Sequence, residues 1–435
     1  MEQITGEIAI PLSQFSEIKK EIKNIAGFKE ELERSLVKKM TEVLEVLLGG
    51  ALILEASDIH IEPQEEEAKI RLRIDGILQD IITIERKIYE ALLSRIKLLS
   101  GIKLNIANRP QDGRFSFLLP SQEDNLAIEI RTSTLPAEEG EAVVLRILNP
   151  KSLIAMEKLG LRKDLLELLK KEIKKPNGMI IVTGPTGSGK TTTLYAFLKE
   201  IQKPEIKIIT IEDPIEYHLA GISQTQTTPE KGYDFASGLK SIMRQDPDAI
   251  LVGEVRDLET VEIALQAALT GHLVLTTLHT NDAAGTIARL INLGAKTANI
   301  GPAINLIIAQ RLIRKICPKC HRLEKISAQD LNKLEKELRG LSQSVKVPKI
   351  SQELKIPQIK GCEACNLTGY RGRIGIFEGF LLDDEMEKFI LTNPPTAALR
   401  EKAMKNGMVS MKQDGFLKVL QGETTIEEVE RTTGE

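Results

Sequence analysis

The sequence predicts an α/β fold built on a mostly parallel sheet, with further domains before and after it. Three observations carry that expectation. The apolar runs at residues 179–182, 208–211, 250–252 and 273–278 are short, nearly continuous and separated by helical patterns, as strands buried on both faces must be. The string GPTGSGKT at residues 184–191 falls between the first of these runs and a helix beginning near Lys190, which is the setting a phosphate-binding loop requires. And 435 residues exceed what one hydrophobic core supports, while a 42% hydrophobic content is enough to fill several.

Taken in order, apolar residues recur at helical intervals among Lys and Glu over residues 15–48, and then the pattern shortens to alternation. In KIRLRIDGILQDIITI, Ile70, Leu72 and Ile74 alternate with Lys69, Arg71 and Arg73, which predicts a half-buried strand, and Asp75-Gly76 is a tight hairpin signal. A helical stretch over 87–99 is followed by strand patterns at 114–119, 126–132 and 142–148. Residues 1–149 are therefore read as an N-terminal α+β domain. The charged, helix-like stretch after it stops at Lys174-Lys175-Pro176-Asn177-Gly178, and residues 150–315 form the α/β core. Residues 316–375 hold all the cysteines, and residues 376–435 read as a helical C-terminal subdomain.

Composition excludes some functions. Lys plus Arg number 59 against 62 for Asp plus Glu, a formal net charge of −3, so no global basic field holds nucleic acid or anionic lipid. With no Trp and 3% aromatics, the chain lacks the usual base-stacking platforms. The start MEQITGEIAIPLSQ lacks the basic opening and apolar core of a secretory signal. The most apolar stretches, 46–54 and 300–308, fall short of the roughly 18 residues a spanning helix needs. The expectation is a cytoplasmic protein whose membrane association is peripheral.

In the loop, Gly184, Pro185, Thr186, Gly187, Ser188, Gly189, Lys190, Thr191 and Thr192 are the candidate nucleotide-binding residues. Glycines let backbone N–H groups converge on phosphate oxygens, the helix N-terminus adds partial positive charge, and Lys190 supplies a mobile point charge. Thr191 is placed to ligate Mg2+. Hydrolysis also needs an acid at a neighbouring strand end. Glu254, following the run 250–253, is the candidate catalytic base. The usual motif has Asp immediately before this Glu, whereas Gly253 stands here. Glu212 and Asp213, ending the run 208–211, can supply the magnesium-side acid, Glu212 as a catalytic and Mg2+ candidate. Solvated carboxylates at strand ends are the plain alternative, and Asp213 and Glu216 are evenly balanced. His279 follows the 273–278 strand into the same crevice and is a further catalytic candidate, whereas His272, at its other end, reads as structural.

Four cysteines form two CxxC pairs, Cys317 with Cys320 and Cys362 with Cys365, separated by residues 321–361. This is the ligand chemistry of a closed, structural Zn2+ site made of four thiolates. A redox pair is the competing reading, but no thioredoxin-like βαβ pattern surrounds either motif.

Four segments, GPTGSGKTTT, TIEDPIEYHLAGISQTQ, RQDPDAILVGEVRDLET and TGHLVLTTLHTNDA, together resemble the secretion ATPases of type II secretion and type IV pilus assembly, where they are the Walker A motif, Asp box, atypical Walker B motif and His box. The Gly253-Glu254 departure is part of the likeness, as are ASDIHIEP, RPQDGRF, RTSTLP and the paired CxxC motifs, so the resemblance runs over residues 56–377. It implies a RecA-like P-loop ATPase domain preceded by a PAS-like N-terminal domain, and a ring homohexamer. In that ring the N-terminal domain closes over ATP, and turnover drives rotation or shuttling. It also implies arginines reaching the phosphates, matched here by Arg114 and Arg131, with pairing to Asp112 or Glu129 as the plain alternative. The expected cofactors are ATP, Mg2+ and Zn2+, and the expected partner is an inner-membrane platform protein. The paired cysteines favour the assembly or secretion branch over the retraction branch, and many relatives carry a further N-terminal domain for docking. The competing readings are a nucleic-acid translocase of the same architecture and a scaffold that binds nucleotide without hydrolysing it.

Overall fold

The computed structural model describes residues 6–120, 126–149, 154–341, 345, 347–348 and 350–434. The chain divides into two compact units. The first holds residues 1–151, 317–320 and 360–371, and the second residues 152–316, 321–359 and 372–435.

In the first unit a seven-stranded sheet is built from β1 (Glu7–Ala9), β2 (Ala56–Pro63), β3 (Glu67–Ile74), β4 (Ile77–Glu85), β5 (Gln111–Leu119), β6 (Leu126–Ala137) and β7 (Gly140–Leu148), in the order β1-β5-β6-β7-β2-β3-β4. All pairings but β1 with β5 are antiparallel. The alternation read in β3 is realised, with Ala68, Ile70, Leu72 and Ile74 buried and the residues between them half-buried. Asp75 and Gly76 turn the β3–β4 hairpin with φ of 50° and 84°, the positive pair such a two-residue loop needs. Helices α1 (Leu12–Glu21), α2 (Ile25–Ser35), α3 (Met40–Ile53) and α4 (Arg86–Leu99) share one core with the inward residues of the sheet. The apolar stretch of α3 is buried on all sides from Val43 to Ala51, which explains a hydrophobic run too short for a membrane. Among the described residues no helix is long and apolar enough to cross a membrane.

The second unit is a sheet covered on both faces. Its strands are β8 (Gly178–Thr183), β9 (Ile208–Glu212), β10 (Ser223–Gln226), β11 (Ala249–Val252), β12 (Leu273–Leu278), β13 (Ile304–Ile316) and β16 (Tyr370–Leu381), while β14 (Arg322–Lys325) and β15 (Lys355–Gln358) form a separate antiparallel pair. The order is β10-β9-β11-β12-β8-β13-β16, parallel from β10 to β13. The four strands expected from apolar runs are its centre. Alternate residues of each feed opposite layers: Ile180 and Val182 pack under α5 (Lys163–Glu172) and α6 (Lys190–Ile201), Met179 and Ile181 under α7 (Phe235–Met243), α8 (Leu258–Leu269), α9 (Ala283–Asn292) and α10 (Thr297–Ala303). Burial on both faces is why the runs read as continuous rather than alternating.

Three strands of this seven-stranded sheet escaped the pattern reading for physical reasons. β10, SQTQ, is polar because it lies on an edge, and β16 is interrupted by Gly372, Gly375 and Gly379. β13 begins inside the apolar 300–308 stretch directly after α10, without a turn signal. Around the second layer lie α11 (Ala328–Glu337) and the C-terminal helices α12 (Asp384–Leu391), α13 (Thr396–Lys405), α14 (Met411–Leu420) and α15 (Ile426–Thr433), which join the same core through Leu334, Ile390, Leu399, Phe416 and Val429. The two CxxC knuckles group with the first unit, whereas the segment between them, carrying β14, α11 and β15, groups with the second.

Candidate functional site

The loop after β8 has the geometry of a phosphate cradle. Gly184, Gly187 and Gly189 all have positive φ, and α6 starts at Lys190 immediately beyond them. Gly184 has no alternative: at φ 148° an added Cβ would stand 2.4 Å from the carbonyl oxygen of Gln310 and 2.7 Å from Ser188 Oγ. Pro185, Thr186 and Gly187 are exposed, and Lys190, Thr191 and Thr192 are half-buried at the start of the helix. Ser188 Oγ is buried without a hydrogen-bond partner, an orphaned donor where a phosphate oxygen would be received. Lys190 Nζ donates to the carbonyls of Gly184 (2.8 Å) and Pro185 (3.1 Å). Burial pulls its pKa down, and Glu254 pushes the other way.

The strand ends beside the loop gather charge. Glu254, two residues beyond β11, pairs with Arg256 through Oε1 and stands 3.4 Å from His279 Nε2 through Oε2. Arg256 Nη1 also reaches Asp213 at 3.8 Å, so it links the ends of β9 and β11. Burial lowers the His279 pKa, Lys190 lowers it further, and Glu254 opposes both. His272 bonds the Ala267 carbonyl at 3.1 Å, at the opposite end of β12.

Glu212 is placed differently. It is buried, and its oxygens accept from Thr210 (2.6 Å), Gln224 (3.2 Å) and Tyr195. Burial raises its pKa, the three hydrogen bonds lower it, and Glu216 adds to the rise. An added Cβ on Gly253 would meet Glu212 Cα and the Ile211 carbonyl oxygen at 3.3 Å each, and Glu212 Cγ at 3.7 Å. The position where the usual motif carries Asp is thus crowded by the neighbouring strand, and the Glu212 side chain occupies that neighbourhood.

Sequence reasoning passed over Arg256, although it stands two residues after Glu254 in GEVRD. It also missed Gln310, whose Oε1 accepts from Thr193 (2.7 Å) and whose backbone closes on Gly184. Gln310 comes from β13, 126 positions further on than Gly184 (310 − 184), and no local pattern announces it.

In the first unit, Arg114 on β5 stands opposite Arg131 on β6, which stands opposite Arg146 on β7, then Asp58 on β2, then Arg73 on β3. Directly opposed residues of antiparallel strands share a face about 5 Å apart, so four arginines form one row. Carboxylates lie among them: Glu129 is 4.0 Å from Arg114 and 3.3 Å from Arg131, and Asp58 is 3.1 Å from Arg146 and 3.5 Å from Arg73.

The four thiols also lie in the first unit, with all Sγ atoms within 4.8 Å of one another. Cys317 to Cys362 is 3.9 Å, and Cys320 to Cys365 and Cys362 to Cys365 are 3.8 Å each. A tetrahedral zinc with ~2.3 Å bonds sets its sulfurs ~3.8 Å apart, so the donor set fits. The Cys320 thiol is pushed up to about 12 by burial and by the other thiols. Burial also raises Cys365, but the N–H groups of Cys362 (3.2 Å) and Gly369 (3.3 Å) outweigh it and bring that thiol down to about 7.

Residues 33–431 match the family described as type II/IV secretion system protein. The type II secretion system protein E of Aeromonas hydrophila is 42% identical over 394 residues, 90% of this chain and 75% of that one. The type IV pilus assembly ATPase PilB of Myxococcus xanthus is 38% identical over 431 residues, 99% and 73%. Among solved structures, the pilus retraction motor PilT with bound ADP superposes with a TM-score of 0.57 at 27% identity, covering 88% of this chain and 95% of that one.

Proposed function

Because the chain belongs to the type II/IV secretion system protein family, we propose that it is the ATP-hydrolysing motor subunit that powers assembly of a type IV pilus or of a type II secretion pseudopilus. The observation that carries this reading is the meeting of Lys190, Glu254 and His279 at the strand ends beside the phosphate loop. A nucleotide-dependent scaffold has no use for a carboxylate held there.

In this reading the amides of residues 184–191, Ser188 Oγ and Lys190 hold the phosphates of ATP, and Thr191 holds Mg2+, which supplies charge neutralisation at the phosphates. Glu254 accepts the proton of the attacking water, and His279 and Arg256 orient its carboxylate. Glu212, with its oxygens engaged by Thr210, Gln224 and Tyr195, shapes the magnesium side through the strand rather than as a bare ligand. Arg114 and Arg131 of the PAS-like N-terminal unit stabilise transition-state charge in a homohexamer, with Arg146 beside them in the same row. The four cysteines hold a structural Zn2+. The protein works in the cytoplasm at the inner face of the membrane, docked on a platform protein.

The test is steady-state ATP hydrolysis against protein concentration, with and without the cytoplasmic part of a candidate platform protein. Turnover that rises with assembly and rises again with the platform is the expected result. Turnover indifferent to the platform but stimulated by DNA or RNA would replace the motor with a translocase, and no turnover under any condition would leave the scaffold.

A further inference from the structure

The backbone that carries His279 is fastened from two directions. From the phosphate loop's side, Thr183, the residue before Gly184, has its Oγ1 2.7 Å from Thr280 Oγ1 and accepts from the Thr280 amide at 2.9 Å. From the C-terminal side two charged groups reach the same segment. Asp282 caps α9 with one oxygen, accepting from the Gly285 amide at 2.7 Å, and its other oxygen accepts from Arg400 Nη2 on α13 at 2.5 Å. One residue later the Ala283 amide donates at 2.8 Å to Oε1 of Glu378, a buried carboxylate on β16. The other oxygen of Glu378 accepts from the Met411 amide at 3.1 Å, so one side chain caps both α9 and α14. Burying a carboxylate is costly unless donors meet it, and here its donors are two helix N-termini.

We propose that Arg400 and Glu378 are positioning residues for hydrolysis, holding residues 279–283 against the nucleotide site so that turnover depends on the C-terminal helices. This rests on His279 taking part in turnover. His279 is half exposed and is in hydrogen-bonding range of Glu254 at 3.4 Å, so its ring goes where its backbone goes. That backbone leaves β12 at Leu278 and is next fixed at Thr280, Asp282 and Ala283. Capping α9 needs only one Asp282 oxygen. The Arg400 contact adds little to helix stability, being partly exposed, yet it ties the segment to a helix more than a hundred residues further along the chain. Movement of α13 or α14 therefore reaches the ring through two contacts.

The experiment uses the full chain and measures kcat, KM for ATP and thermal midpoint for Arg400→Met, Arg400→Lys and Glu378→Gln, each alone and combined with His279→Ala. Arg400 is half exposed, so its replacement leaves the fold in place. Arg400→Met is expected to lower kcat about two- to tenfold with KM unchanged, Arg400→Lys to restore most of the loss, and neither Arg400→Met nor Glu378→Gln to lower kcat further once His279 is Ala. Full kcat in Arg400→Met, or losses that add to that of His279→Ala, would overturn the proposal while leaving the role of His279 intact. Wild-type turnover in His279→Ala would remove both.

Discussion

At Glu254 two side chains address one carboxylate, Arg256 through one oxygen and His279 through the other. A carboxylate held in this way is fixed in direction, so removing its charge while keeping its shape separates chemistry from binding. Glu254→Gln is expected to bind nucleotide as the parent does and to lose about 10²- to 10⁴-fold in turnover, measured by nucleotide binding and single-turnover hydrolysis; unimpaired turnover would move the base elsewhere. His279 offers a pH reading. Its folded pKa is depressed, so the unfolded chain holds the proton more tightly, and whatever stability the neutral ring provides is present above about pH 6.5 and is lost as pH falls through the depressed folded value. An NMR titration should place the ring's midpoint below about 6.5, and a midpoint above it would mean that Glu254, not burial and Lys190, dominates the ring.

Among the elements, β9 and β11 decide why this Walker-like strand carries Gly253 in place of an acid. Gly253→Asp would set a Cβ 3.3 Å from Glu212 Cα and from the Ile211 carbonyl oxygen and 3.7 Å from Glu212 Cγ, costing about 1–3 kcal/mol by overpacking. A lower thermal midpoint with no gain in turnover is expected, and increased turnover would show that the missing acid limits hydrolysis. The cysteine knuckles give the second test at this scale. Their sulfur spacing suits a tetrahedral ion, and a bound ion ties together two knuckles far apart in the chain, so metal should supply part of the folding energy. About one zinc per chain and a fall in thermal midpoint on chelation or in Cys362→Ser are expected; an unchanged midpoint after complete metal removal would rule the ion out as a structural part.

At the scale of the whole molecule, the arginine row of the first unit is what a test of assembly would address. If it serves nucleotide held by another copy, its loss should appear in turnover and not in affinity. Arg114→Ala and Arg131→Ala are expected to keep nucleotide affinity and lose at least about tenfold in turnover, with the concentration dependence of activity flattened. Equal turnover per chain at all concentrations, unaffected by either substitution, would leave the row a structural part of the sheet.

Sequence alone determined the features whose physics is local or periodic. The positive-φ glycines of the loop before Lys190, the four central parallel strands, the Asp75-Gly76 turn and the grouping of the four cysteines could all be read because each is fixed by backbone conformation, strand burial or residue type within a few positions. Tertiary structure alone decided what depends on register and on distant partners. It aligned Arg114, Arg131 and Arg146 across three strands, closed Gln310 over Gly184 and set Arg256 between Glu254 and Asp213. It also brought Glu378 and Arg400 onto the segment behind His279. Contacts of this kind join residues whose separation along the chain has no periodicity, so they exist only once the sheets have formed and brought their ends together.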